Sequence, residues 1–212
     1  MQIDIFLFGM LIANFLMVAA KRISALINGF CLQALLLFLA TLILAIRSKN
    51  IELYIVAFLL FLLKVVLVPY FLLRIVKRIK VEENLGLFVN SALSLFLVLI
   101  FTYMAYLFAS TFMPVGESVN GISCVISLSV MMTGVFMMIS RIKALTQIIG
   151  LLVIENGLFV FAAAVSGGMP FIVEIAIFFD VFVCVIILGI FVYRINRLFT
   201  HIDVNKLRNL KG

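Results

Sequence analysis

The chain has 212 residues, of which 67% are hydrophobic and 12% are charged, and its mean hydropathy is +1.38. Soluble domains are about 45–50% apolar and about 25% charged, so this composition excludes a soluble globular fold and favours an all-α polytopic membrane protein. The net charge of +7 does not indicate nucleic acid as a partner, because the basic residues lie between apolar runs rather than on one polar face.

Apolar runs of about 20 residues, the length that a membrane-spanning helix needs, predict about seven spans and no soluble domain. The first run lacks a preceding basic region and is instead followed by Lys21 and Arg22, so we expect a retained span rather than a signal peptide. Charged, glycine or proline residues separate the runs. The predicted spans cover residues 3–20, 23–46, 51–74, 85–110, 119–140, 144–165 and 171–194.

The loops between seven spans alternate between the two sides of the membrane, and their basic residues are unevenly divided. Only Arg47 and Lys49 lie on one side. The other side carries Lys21, Arg22, Arg74, Lys77, Arg78, Lys80, Arg141, Lys143, Arg194, Arg197, Lys206, Arg208 and Lys211. Because cytoplasmic loops are enriched in lysine and arginine, the sequence predicts an outer N-terminus and a cytoplasmic C-terminus.

The chain aligns with itself at an offset of 119 residues, which brings residues 22–26 onto residues 141–145. A second match, shifted by one residue, relates residues 71–75 to residues 191–195. The alignment predicts a parallel duplication of a three-helix unit. The units are residues 1–82 and 119–212, with a linking fourth span and outer loop in residues 83–118. Chance similarity between apolar segments is the alternative.

Three ionisable residues fall near the middle of predicted spans, namely Lys64, Glu155 and Asp180, and Glu174 lies one to two turns from Asp180. Charges at the centre of a bilayer are costly and usually functional. Burial moves carboxylic acids and amines in general towards proton exchange near neutral pH, so we expect proton transfer at these residues. A static ion pair of Lys64 with Asp180 or Glu155, which only links helices, is the alternative.

Uncharged residues within the spans predict helix packing rather than chemistry. Amide side chains can form hydrogen bonds between helices, and glycines allow close helix contacts. The amides are Asn14, Asn28, Gln33, Gln147 and Asn156, and the glycines are Gly9, Gly134, Gly150, Gly157 and Gly189. Asn156 is the amide that we most expect to line a water path, because it directly follows Glu155.

No motif for covalent chemistry or metal binding is evident in the sequence. The three cysteines, Cys31, Cys124 and Cys184, lie singly in apolar runs, and His201 is the only histidine that could join them as a ligand. The chain has no nucleophile with an adjacent base, no phosphate-binding loop and no dinucleotide fingerprint. We therefore expect no catalysis, bound cofactor or metal in this chain alone.

The C-terminal half resembles the three-helix subunit K of bacterial complex I (NuoK). Residues 133–141 are similar to its first helix with a basic end, residues 149–156 to its second helix, and residues 200–208 to its short cytoplasmic end. With four further spans in front, the whole chain resembles hydrogenase-4 component E, a membrane subunit of formate hydrogenlyases and other membrane-bound hydrogenases related to complex I.

The resemblance implies a cofactor-free subunit of the prokaryotic cytoplasmic membrane that contributes buried carboxylates to a proton path. Its implied partners are antiporter-like membrane subunits, the membrane subunit that anchors the hydrogenase, and lipid, with nickel–iron and iron–sulfur centres in partner subunits. The glutamate of the family's second helix falls on Leu152, one turn before Glu155, and the carboxylate of its third helix falls on or beside Asp180. A stand-alone small transporter and a purely structural spacer are the alternative functions.

Overall fold

The computed structural model describes residues 2–79, 90–112, 121–141 and 143–166, and every regular element in these ranges is a helix. Their bounds correspond closely to the first six predicted spans, whereas the predicted span 171–194 lies outside the described residues. The elements are α1 (Gln2–Ala19), α2 (Ile23–Ser48), α3 (Ile51–Leu60), a π-helical segment (Phe61–Leu67), α4 (Val68–Ile79), α5 (Ser91–Phe112), α6 (Gly121–Ser140) and α7 (Ala144–Ser166).

The helices meet the length and apolarity that a membrane span needs. Five stretches in the described residues qualify, and a shorter apolar helix, Ile3–Ala19, precedes them. This confirms an all-helical chain of polytopic membrane type and leaves the number seven a prediction. The five stretches are Ile23–Ser48, Ile51–Lys77, Ser91–Phe112, Gly121–Ser140 and Ala144–Val165.

Helices α3 and α4 are parts of one continuous membrane-spanning helix, and the π-helical segment Phe61–Leu67 connects them in its middle. At the end of this segment the Val68 N–H bonds to the Leu63 carbonyl oxygen, five residues back rather than four. A π-turn adds one residue to the helical repeat and rotates the side chains that follow. It therefore decides which way the side chains in the middle of this span point.

Pro69 gives a physical reason for the irregularity at this place. Proline has no N–H, so the carbonyl of Val65, four residues earlier, cannot accept the regular helical hydrogen bond. In the structure the Val65 oxygen instead accepts from the Cys31 thiol of α2, with a sulfur–oxygen distance of 3.7 Å. The bond to α2 partly replaces the helical one and connects the irregular segment to its neighbour.

The turn between α2 and α3 lies in the short segment that separates the second and third predicted spans. Lys49 has a φ of 51°, in the left-handed region, and ends α2. Asn50 begins α3 by accepting a hydrogen bond from the Glu52 N–H at 3.0 Å. Both features are typical helix ends, and they reverse the chain within two residues.

Helices α6 and α7 form the closest packed pair, and glycines permit the contact. A Cβ atom at Gly134 would lie 2.8 Å from the Gly150 carbonyl oxygen, and one at Gly157 would lie 2.9 Å from the Ser127 carbonyl oxygen. Distances this short leave no room for any side chain. Small residues that let backbones approach are the usual device of membrane helix pairs, and here they fix the height and rotation of α7.

The remaining contacts assemble the helices around one core. Helix α1 packs against α2, α5 and α6, while α2 also packs against α7 and the π-helical segment. The first two helices of the proposed N-terminal unit thus contact the first two of the proposed C-terminal unit. The division into residues 1–82, 83–118 and 119–212 remains a prediction.

Candidate functional site: a polar cluster at the centre of the bundle

The ammonium group of Lys64 lies inside the helix bundle. Lys64 comes from the π-helical segment, and only 2% of the residue is exposed. Its Nζ donates a hydrogen bond to Oδ1 of Asn156 in α7 at 3.0 Å. Burying an ammonium group is unfavourable unless it is bonded or paired, so this bond is part of what allows Lys64 to remain in the core.

Glu155 supplies a negative charge to the same ammonium group. Its Oε2 lies 3.7 Å from Lys64 Nζ, and the two side chains are 4% and 3% exposed. Consecutive residues of a helix point about 100° apart, so α7 presents a carboxylate and an amide to Lys64 from two directions. A separation of 3.7 Å exceeds hydrogen-bond length, which makes this contact an ion pair that a small side-chain movement or a water could turn into a bond.

Gln33 of α2 extends this arrangement to a third element. Asn156 Nδ2 donates to Gln33 Oε1 at 3.3 Å, and both residues are fully buried. Asn156 therefore accepts from Lys64 with its oxygen and donates to Gln33 with its nitrogen. The four residues Gln33, Lys64, Glu155 and Asn156, called here the central polar cluster, connect α2, the π-helical segment and α7.

The central polar cluster lies close to the midpoint of each helix that contributes to it. Lys64 is the middle residue of the span Ile51–Lys77, and Glu155 stands near the middle of Ala144–Val165. The cluster is consequently near the centre of the membrane, where unpaired charge is most costly. The structure brings the sequence-predicted residues Lys64 and Glu155 together, and their part in proton transfer remains a prediction.

Two predicted site residues, Asp180 and Glu174, lie outside the described residues. Among the described residues, no group of three or more histidine, cysteine, aspartate or glutamate side chains converges on a point that could hold a metal ion.

A row of hydroxyl groups, which the sequence analysis did not single out, connects α5 to α6 near mid-height. Thr102 Oγ1 and Ser129 Oγ lie 2.7 Å apart, and either hydroxyl can be the donor. Thr133 Oγ1 donates to the Ser129 carbonyl oxygen at 2.8 Å. Serine and threonine are common in membrane helices as local hydrogen-bonding residues, so their presence alone gave no signal for this contact.

Arg141 joins the ends of two helices that are far apart in sequence. Its guanidinium donates to the carbonyl oxygens of Met17, Val18 and Ala20 at 3.3, 3.2 and 3.4 Å, and the residue is 2% exposed. These carbonyls lie at the C-terminal end of α1, where the last carbonyls have few backbone partners, and the Met17 oxygen also accepts from the Ala20 N–H. Burial lowers the pKa of the Arg141 guanidinium to about 10, which leaves it charged at neutral pH and attracted to the negative end of the α1 dipole.

A cavity of about 100 Å³ lies between the helices, with wall residues one helical turn from two members of the central polar cluster. Leu37, one turn beyond Gln33, and Val160, one turn beyond Asn156, belong to its wall. Ile3 and Leu7 of α1 complete the wall on the side of the membrane where α1 begins. Most of the lining is apolar, and Thr41 and Ser123 are its hydroxyl-bearing residues.

Comparison with known proteins gives two kinds of relative. The uncharacterised protein Rv0085 of Mycobacterium tuberculosis is 27% identical over 206 residues, which cover 96% of this chain and 93% of the relative. Hydrogenase-4 component E of Escherichia coli is 28% identical over 154 residues, which cover 72% of this chain and 70% of the relative. Component E of Shigella flexneri matches to the same extent.

No protein-family model matches the chain. No solved structure matches it either. The chain is thus similar, at a distance, to component E of hydrogenase-4, and the resemblance of its C-terminal half to NuoK remains a prediction.

Proposed function

We propose that this chain is a membrane subunit of an ion-translocating hydrogenase complex related to complex I, and that its central polar cluster takes part in moving protons. The distant similarity to hydrogenase-4 component E supports membership of such a complex. The observation that carries the proton-transfer part is the buried ion pair of Lys64 and Glu155 at mid-height of the bundle.

The chemistry of this pair suits a step in a proton path. A lysine and a carboxylate that face each other in an apolar interior each control the charge of the other, since removing one charge destabilises the other. A proton that arrives at Glu155 neutralises it and weakens the hold on the Lys64 ammonium, which the Asn156 oxygen keeps in place. The pair can therefore transmit a charge change across the subunit, directly or by electrostatics.

Asp180 and Glu174 belong to the same proposal as carboxylates that continue the path on the seventh predicted span. The chain itself would hold no cofactor and catalyse no redox reaction alone. Hydrogen turnover would take place at nickel–iron and iron–sulfur centres of partner subunits. Antiporter-like subunits and the subunit that anchors the hydrogenase would contact this chain within the cytoplasmic membrane of a prokaryote.

Membership of a complex is tested by affinity purification of the full chain in mild detergent. We expect it to co-purify with a nickel–iron subunit and antiporter-like membrane proteins, and the preparation to turn over hydrogen with a viologen dye. A chain that purifies alone and monodisperse would contradict the proposal and favour a stand-alone transporter.

The proton-transfer role is tested with that complex in sealed vesicles. Glu155→Gln keeps the size of the side chain and removes its charge, so we expect hydrogen turnover to persist while proton movement across the vesicle membrane falls. Glu52→Gln is the matched control, because Glu52 is an exposed glutamate at the start of α3. Equal proton movement in both variants would leave the pair a structural link and make the chain a spacer.

A further inference from the structure

Asn14 is a buried amide on an otherwise apolar face of α1. The residue is 0% exposed, and neither its Oδ1 nor its Nδ2 has a hydrogen-bond partner among the described residues. Met10 and Met17 lie one turn before and one turn after it on the same face and are also 0% exposed. The amide is therefore enclosed by the bundle and does not face lipid or a partner protein.

Gln33 has a spare donor at the same height. Its Oε1 accepts from Asn156, but its Nε2 is buried and has no partner among the described residues. Leu36 of α2 packs on Gly9 of α1, and Met17 of α1 packs on Gly29 of α2. Antiparallel pairing between these two contacts places Asn14 opposite residues 31–33, within one helical turn of Gln33.

Three buried polar atoms without a hydrogen-bond partner among the described residues thus lie at a similar height on α1 and α2: the oxygen and nitrogen of the Asn14 amide and the nitrogen of Gln33. Buried amide groups in folded proteins are almost always bonded to protein or to ordered water. Water can accept from Gln33 Nε2 and donate to Asn14 Oδ1 at once. We infer that water binds between Asn14 and Gln33 and extends the central polar cluster to α1.

The neighbouring cavity gives this water a route of exchange. It begins at Leu37 and Val160, one turn from Gln33 and Asn156. A volume of about 100 Å³ exceeds the ~10–15 Å³ that one water requires by this measure. The cavity extends from there to Ile3 and Leu7, so a water that passes Leu37 would reach the side of the membrane where α1 begins. If the proposed proton role is correct, on which this step rests, protons of the Lys64–Glu155 pair exchange with that side.

Radiolytic hydroxyl labelling of the purified full chain tests for the water. Radicals formed from bound water oxidise side chains beside it, whereas dry, buried methionines stay protected. We expect Met10 and Met17 to be labelled several-fold more than Met137, which is equally buried at 0% exposure but lies on α6. Asn14→Leu, which keeps the size and removes both polar atoms, should lower the labelling of Met10 and Met17 and leave Met137 unchanged.

Labelling of Met10 and Met17 no greater than that of Met137 in the unmodified protein would overturn the inference. That comparison needs no variant, so it holds even where Asn14→Leu does not fold. The measurement also needs neither partner subunits nor turnover. Its failure is thus distinguishable from failure of the proposed hydrogenase function, which the purification and vesicle experiments address separately.

Discussion

The Lys64 ammonium lies closer to the neutral amide oxygen of Asn156, at 3.0 Å, than to the Glu155 carboxylate, at 3.7 Å. An amide oxygen accepts a hydrogen bond from a lysine in either protonation state, so Asn156 holds the nitrogen in place whatever the charge of Glu155. The carboxylate is then able to gain or lose a proton without releasing the lysine. Asn156 thus holds the lysine in place while Glu155 compensates its charge, and the first two predictions test these two roles.

Lys64→Met should destabilise the protein by about 3–5 kcal/mol, the usual effect of removing one member of a buried ion pair. The double variant Lys64→Met with Glu155→Met should recover much of this loss, since both charges are removed together. The chain contains no tryptophan, so unfolding is best followed with a thiol-reactive dye, for which Cys124 is buried and Cys31 partly buried in the folded state. A double variant no more stable than the single one would show that the pair is not coupled.

Asn156→Leu should lower stability by about 1.5–3 kcal/mol, the usual range for a hydrogen bond to a charged group. The change also removes the donor to Gln33, and the thiol assay measures the combined effect. Leu158→Ala on the same helix is the control, because Leu158 is 41% exposed and its truncation leaves no buried cavity. If the proposed proton role is correct, Asn156→Leu should in addition slow proton movement in vesicles more than its stability loss explains.

Gly134→Ala should separate α6 from α7, since the added Cβ would lie 2.8 Å from the Gly150 oxygen and 2.9 Å from the Ile154 nitrogen. Both are backbone atoms that cannot rotate away, so we expect a loss of about 1–3 kcal/mol from overpacking. Gly9→Ala is the matched control, because its nearest contact is the Leu36 Cδ1 atom at 3.1 Å, the movable end of a side chain. The melting temperatures of the two variants should differ clearly, and similar values would argue against backbone contact as the cause.

Arg141→Met should lower the free energy of unfolding by about 1.5–3 kcal/mol for each charge-assisted hydrogen bond that water does not replace. Arg141→Lys should recover only part, because an ammonium cannot reach three carbonyls with the geometry of a guanidinium. Lys21→Met, at an exposed cation of the neighbouring turn, serves as the control and should change little.

The pH dependence of the Arg141 contribution follows from its pKa. The folded pKa of about 10 is below the ordinary value of an arginine, so the folded state releases this proton first as the pH rises. The penalty for burying the charge is fully present well below pH 10 and is relieved only as the pH rises above about 10. The stability difference between Arg141→Met and the unmodified protein should therefore be the same under mildly acidic and mildly alkaline conditions, and a change across neutral pH would contradict the assignment.

Much of the helical layout was predictable because charge and apolarity alternate sharply along the chain. Lys49 ends α2 and Asn50 begins α3, at the place where the sequence predicts a loop. Lys64 and Glu155 were conspicuous for the same reason, since charged residues inside an apolar span are rare and usually functional. The sequence offered Glu155 as one of two partners for Lys64, and the structure brings it to 3.7 Å.

Other features depend on contacts that no local pattern reveals. Arg141 read as one more basic loop residue, but its partners are the carbonyls of a helix more than 120 residues earlier. The self-alignment pairs it with Arg22, yet Arg22 is exposed whereas Arg141 is buried. The π-helical segment had only the later Pro69 as a hint, and a proline predicts a disturbance without specifying which kind.

The extra residue in the π-helical segment also bears on how relatives of this chain are aligned. A homologue with one residue fewer between Phe61 and Leu67 would form a regular helix there, and its downstream residues would rotate by about 100° relative to this chain. Its buried lysine would then occupy a neighbouring alignment column while reaching the same point in space. A search for the equivalent of Lys64 across distant genomes should accordingly allow a single-residue gap in this span, rather than count a shifted lysine as lost.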